Sequence, residues 1–108
     1  MIDRAERARL AEAAMVAICA QLSMVVVRDE RFAHWHRALQ GVLADVPETK
    51  GVMAPMRDAA WGLAMAEGER AIGNALARLK IETAAYYREV AALRVSQWSD
   101  ASGWRFNR

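Results

Sequence analysis

Residues 55–96 read Pro55-MRDAAWGLAMAEGERAIGNALARLKIETAAYYREVAALRV-Ser96. No proline follows Pro55, and Ala, Leu, Glu and Arg, all good helix formers, dominate the stretch. In its second half Ile72, Leu76, Leu79, Thr83, Tyr86, Val90 and Leu93 recur at a 3-4 spacing, which keeps one seam on one helix face. Unbroken, such a helix is about 60 Å long at about 1.5 Å per residue. A rod of that length cannot cover its own seam, so the rest of the chain or a second chain must do so.

The preceding half supplies a matching helix. Asp3-Arg4-Ala5-Glu6 has the form of a capping box, with Ile2 placed as its hydrophobic staple. The expected apolar face is Leu10, Ala14, Ile18, Leu22 and Val25, widened by Ala13, Met15 and Ala17. Arg28-Asp29-Glu30-Arg31 then has two readings. Asp29 caps a new helix, or the helix runs through, because Phe32, Trp35, Leu39, Val42 and Val46 keep the apolar phase. Val46-Pro47 ends the helix, since the residue before proline is pushed out of the α region. Pro55 suits the first turn of the next helix, and Asp58 suits its positive end.

Folding the chain near Lys50 makes the two halves match. Phe32, Trp35 and Leu39 then face Met65 and Trp61, Leu22 and Val25 face Leu79 and Leu76, Ala13 and Ala14 face Tyr87 and Tyr86, and Leu10 faces Val90. Arg28–Arg31 falls opposite Glu67-Gly68-Glu69-Arg70, predicting a polar layer with Asp29 beside Arg70. Gly68 and Gly73 are expected where another backbone comes close, since each costs about 1 kcal/mol against alanine inside a helix. The fold class expected is all-α: an antiparallel hairpin of two long helices, each open to a break at 28–31 and 67–70. Uncovered seams make dimerisation into a helical bundle the expected assembly, with four shorter helices folding back within one chain as the alternative.

The 108 residues suit one domain, expected over 1–97 with an aromatic and arginine-bearing tail over 98–108. No run alternates Val, Ile and Thr as a strand does. The net charge of +2 is small, and lysine occurs only at Lys50 and Lys80. Arginine suits bidentate carboxylate or phosphate contacts. Cys19, the single cysteine, excludes an internal disulfide and reads as a small buried hydrophobe in a reducing cytoplasm. The apolar run Ala13–Val27 is interrupted by Gln21 and Ser23 and falls short of the roughly 20 residues that a membrane span needs. Asp3 and Glu6 do not suit a signal peptide.

Catalytic patterns are sparse. His34 and His36 point away from each other on a helix and cannot share a metal at ligand distances. Glu30 and His34 lack the Glu-x-x-His spacing of carboxylate-bridged sites. Glu48-Thr49-Lys50-Gly51 is no phosphate loop, and Gly62, Gly68 and Gly73 lack dinucleotide spacing. Cys19 in an apolar helix has its thiol pKa raised, which is wrong for a nucleophile. No enzyme, cofactor, metal or small-molecule substrate is expected.

Two candidate sites remain. Trp98, Trp104, Arg105 and Phe106 carry residue types enriched at interface hot spots. Gly103 frees the chain before Trp104, so the tail is expected to contact another polypeptide, with Trp98 also suited to covering the bundle end. Arg4, Arg7, Arg9, Arg88 and Arg94 are expected at one end of the hairpin, with Arg105 and Arg108 nearby, as possible phosphate contacts. The leading functional expectation is a non-enzymatic protein–protein interaction protein: an adaptor, inhibitor, regulator or small subunit that also forms a homodimer. The rival is a nucleic-acid-binding regulator or nucleoprotein subunit using the arginine-rich end.

Overall fold

Asp3 opens the first helix as its sequence demands, its Oδ1 accepting from the Glu6 N–H at 2.8 Å. The computed structural model describes residues 2–102, with side chains described to residue 97. Helix α1 spans Arg4–Leu22, α2 Glu30–Leu43, α3 Ala54–Met65 and α4 Glu69–Ser102, with a 3₁₀ turn at Gly51–Met53 before α3. The described residues are all-helical, with no strand. None of their helices is long and apolar enough to cross a membrane.

The two rods of the sequence reading are each interrupted. Ser23 closes α1 by donating from its hydroxyl to the Cys19 carbonyl at 2.9 Å. Asp29 starts α2 afresh, its carboxylate accepting from the Arg31 N–H at 2.9 Å, so the capping reading of 28–31 is the one realised. The second rod breaks at Ala66, which is extended, and at Gly68, which has φ +90°. That left-handed conformation explains Gly68, since only glycine adopts it freely. No atom crowds the space a Cβ would fill at Gly68 or Gly73, so neither marks a close backbone approach.

The breaks let each half fold back. α1 packs on α2, α3 on α4, α2 on α3 and α1 on α4. The turn near Lys50 keeps the expected facing order. The His36 Nε2–H donates to the Leu63 carbonyl at 3.0 Å, Gln40 Nε2 to the Ala64 carbonyl at 3.0 Å, and Arg57 Nη2 to the Val46 carbonyl at 3.3 Å. Leu22, Val25, Leu76 and Leu79 share one core with Met15, Leu39, Leu43, Met56 and Leu63.

Other pairings fail for a common reason: α1 must serve α2 as well as α4. Its buried face is Ala11, Met15, Ile18, Cys19 and Leu22, leaving Ala13 and Ala17 exposed. Leu10 is 54% exposed, so it does not close over Val90. Met65, at the end of α3, is 71% exposed rather than packed into the core with Phe32. Asp29 pairs with Arg31 at 2.7 Å, not with Arg70, because Arg31 lies two residues along the same turn and helix start.

α4 departs most from a compact bundle. Its 34 residues make about 50 Å of helix, against a longest molecular dimension of 55 Å. Burial ends at Thr83, Tyr86 and Val90 are half-buried, and residues 91–97 are all exposed. The backbone stays helical through 97–102, where the sequence reading ends the helix. Nothing between Gln97 and Ser102 is proline or glycine, so no local signal stops it.

Candidate docking surface

The seam that buries Leu76, Leu79 and Thr83 continues along α4 as half-buried Tyr86 and Val90 and then exposed Leu93. Tyr86 packs against the core edge, and its ring meets Tyr87 edge-on at 5.4 Å. Tyr87, Leu93 and Val95 are all exposed on the projecting half. Tyr86, Val90 and Leu93 share one face of the helix, while Val95, two residues on from Leu93, points the other way.

Two clefts run beside this stretch. One, of about 530 Å³, is lined by Val16, Tyr86, Tyr87, Val90, Ala91 and Arg94. The other, of about 360 Å³, is lined by Ala20, Ser23, Lys80, Thr83, Ala84 and Tyr87. Small side chains from α1 and α4 form most of its wall, and Lys80 supplies its cation. Thr83 is 2% exposed, and its hydroxyl has no hydrogen-bond partner among the described residues. A buried polar group without a partner costs about 1–3 kcal/mol.

The arginines do not form one site. Arg4 and Arg7 line a cleft of about 490 Å³ with Ala44, Asp45 and Pro47, where Asp45 opposes them in sign. Arg9 lines a different cleft with Glu12, Ala13 and Met53, and Arg94 lies in the Tyr87 cleft. Arg88 is exposed on α4. Trp98 lies on α4, its side chain beyond the described part, while Trp104, Arg105, Phe106 and Arg108 lie outside the described residues.

The remaining reactive groups serve packing. Cys19 is fully buried, and burial pushes its thiol up to about 12. His36 stacks on Phe32 at 5.1 Å while donating to Leu63, and His34 lies edge-on to Trp35 at 4.8 Å. Asp29 has its carboxyl lowered to about 2, first by the side-chain hydrogen bond from Arg31 and then by that residue's backbone N–H. No group of three metal-binding side chains occurs among the described residues.

The sequence reading placed its candidate partner contacts at Trp98, Trp104, Arg105 and Phe106 and assigned Tyr87, Val90 and Leu93 to the hairpin interior, whereas Tyr87 and Leu93 are exposed. The available signal was length: the second rod carries more seam than the first can cover. Compared with known proteins, the chain matches no family model, no curated protein and no solved structure.

Proposed function

We propose that the chain is a non-enzymatic protein–protein interaction module, an adaptor, inhibitor or small subunit, whose docking element is the projecting half of α4. One observation carries this reading: the helix continues to Ser102 although burial ends at Thr83, and its outlying turns display Tyr87 and Leu93. An exposed helix with an apolar face suits recognition by a groove or by another helix. The burial of Cys19 and the commitment of His36 to a carbonyl support the non-enzymatic part. A buried free thiol suits a reducing cytoplasm.

Capture of partner proteins by tagged chain, with and without Leu93→Asp, tests the reading. Leu93 is exposed, so the substitution leaves the fold intact by circular dichroism. The reading expects a discrete set of polypeptides that the variant loses. Identical capture by both chains would sink it.

The nucleic-acid reading has less support. Phosphate binding favours a contiguous basic stripe, whereas these arginines line separate clefts and Asp45 opposes Arg4 and Arg7. A steep fall of any nucleic-acid affinity with salt would restore it.

A further inference from the structure

We propose that the groove between α1 and the projecting half of α4 receives an amphipathic helix of another protein, its apolar face laid over Tyr87 and an acidic side chain near each end meeting Lys80 and Arg94. This rests on the reading of α4 as the docking element and states the chemistry of its occupant.

Two stripes build the groove. On α4, Lys80, Ala84, Tyr87, Ala91 and Arg94 follow one another at a 3-4 spacing, beside the buried seam. On α1, Val16, Ala20 and Ser23 do the same. The two clefts lie between these stripes, and Tyr87 lines both. Tyr87, Ala84 and Ala91 are exposed, while Val16, Ala20 and Ser23 are half-buried.

The chemistry of the wall selects a helix. The Ser23 hydroxyl already donates to the Cys19 carbonyl, and Val16, Ala20, Ala84 and Ala91 present only carbon. An extended peptide laid here would bury backbone N–H and C=O groups that find few partners, whereas a helix satisfies its own. The alanines let its backbone come close, and Tyr87 supplies one large apolar contact at the centre.

The ends of the groove select acids. Lys80 stands at one end and Arg94 at the other, and no acidic side chain lines either cleft among the described residues. Glu12, on the same part of α1, lines a different cleft with Arg9. Neither Lys80 nor Arg94 has an acid three or four residues away along α4. The ion pairs among the described residues are Arg31–Asp29 and Arg57–Asp58, so both groove cations lack a partner there. A carboxylate set beside each supplies the charge that the chain itself does not, in a charge-assisted contact.

Lys80 and Arg94 stand about 21 Å apart along α4, about four helical turns, with an apolar floor between them. Phosphate recognition favours cations gathered in one contiguous stripe, so this spacing fits a helix with an acid near each end better than a nucleic acid. Four turns make a strip at the small end of specific interfaces, and micromolar affinity is expected.

A selection without charge bias decides the matter. A displayed library of helical peptides, each with an apolar 3-4 face and every other position random, is selected on the full chain. Peptides with Asp or Glu near both ends of that face, about four turns apart, should be enriched. The commonest is then synthesised with a fluorescent label, and its binding is read by anisotropy. Affinity should fall at least tenfold for Tyr87→Ala and for Lys80→Glu combined with Arg94→Glu. Lysine in place of the peptide's two acids should restore binding to the charge-swapped chain. Helical circular dichroism checks the fold of each variant. Enrichment without the paired acids, or a charge swap that leaves affinity unchanged, overturns the inference. A labelled DNA duplex that binds more tightly than the peptide and is lost in the charge-swapped chain assigns both cations to phosphate and overturns it as well. If no acidic peptide is selected while Leu93→Asp still abolishes partner capture, this inference fails and the docking reading stands. If acidic peptides bind as expected while Leu93→Asp leaves capture unchanged, the failure lies with the docking reading alone.

Discussion

His36 and Gln40 show how single side chains close this fold. The last carbonyls of a helix lack intrahelical donors. Near the end of α3 the Leu63 carbonyl accepts from the Ala66 N–H and also from His36, and the Ala64 carbonyl accepts from Gln40 across the α2–α3 interface. His36→Ala should therefore lower unfolding stability by about 1 kcal/mol, read by urea denaturation, and exposed Gln40→Ala by less. Asp29 gives a pH signature. Its folded carboxyl titrates near 2, below the ordinary carboxylate range, because Arg31 bonds it. With the folded pKa depressed, its contribution is present above about 4, the unfolded value, and is lost as pH falls through about 2. A carboxyl NMR titration of Asp29 with a midpoint near 4 would remove the Arg31 contact in solution, and Arg31→Ala should move the midpoint upward.

Among elements, the turn between α3 and α4 decides whether the chain forms rods or a folded-back bundle. Gly68 at φ +90° makes that turn, while Gly73 lies in α4 with open space around its missing Cβ. Alanine should therefore have opposite effects at the two positions. Gly68→Ala forces an L residue into the left-handed region and destabilises by about 1 kcal/mol or more. Gly73→Ala removes a flexible residue from a helix interior and stabilises by up to about 1 kcal/mol. Thermal melts of the two variants check both signs, and equal effects would contradict the assigned turn. The sequence marked both glycines but could not separate them, because a glycine's φ depends on whether the helix stops there. The cap at Asp3 was legible, since capping is local chemistry, whereas at Asp29 the sequence left capping and a continuous helix both open. The rotation of α1 was not. Which of Leu10 and Met15 faces inward depends on α2 folding back, a tertiary event that periodicity along one helix does not encode. The same limit hid the exposure of Leu93, because the 3-4 spacing of Tyr86, Val90 and Leu93 reads alike whether the seam is covered or free.

For the whole molecule, the question is whether the far half of α4 belongs to the folding unit. Leu76, Leu79 and Thr83 are buried in the common core, whereas residues 91–97 are exposed throughout. Stability follows buried contacts, and removing exposed residues away from them changes it by about 0.5 kcal/mol or less. A chain ending at Ala91 keeps Tyr86 against the core edge and keeps half-buried Val90. It should lose helical circular dichroism in proportion to the turns removed and keep its urea midpoint. The same truncation removes Leu93, so it should lose partner capture. Unfolding of the shortened chain would place the distal segment within the core. Retained stability together with retained binding would move docking to another face, where the cleft lined by Arg9, Ala13, Val16 and Tyr86 is next in line. Division of α4 into a folding half and a binding half requires that stability survive the cut and that binding be lost with it.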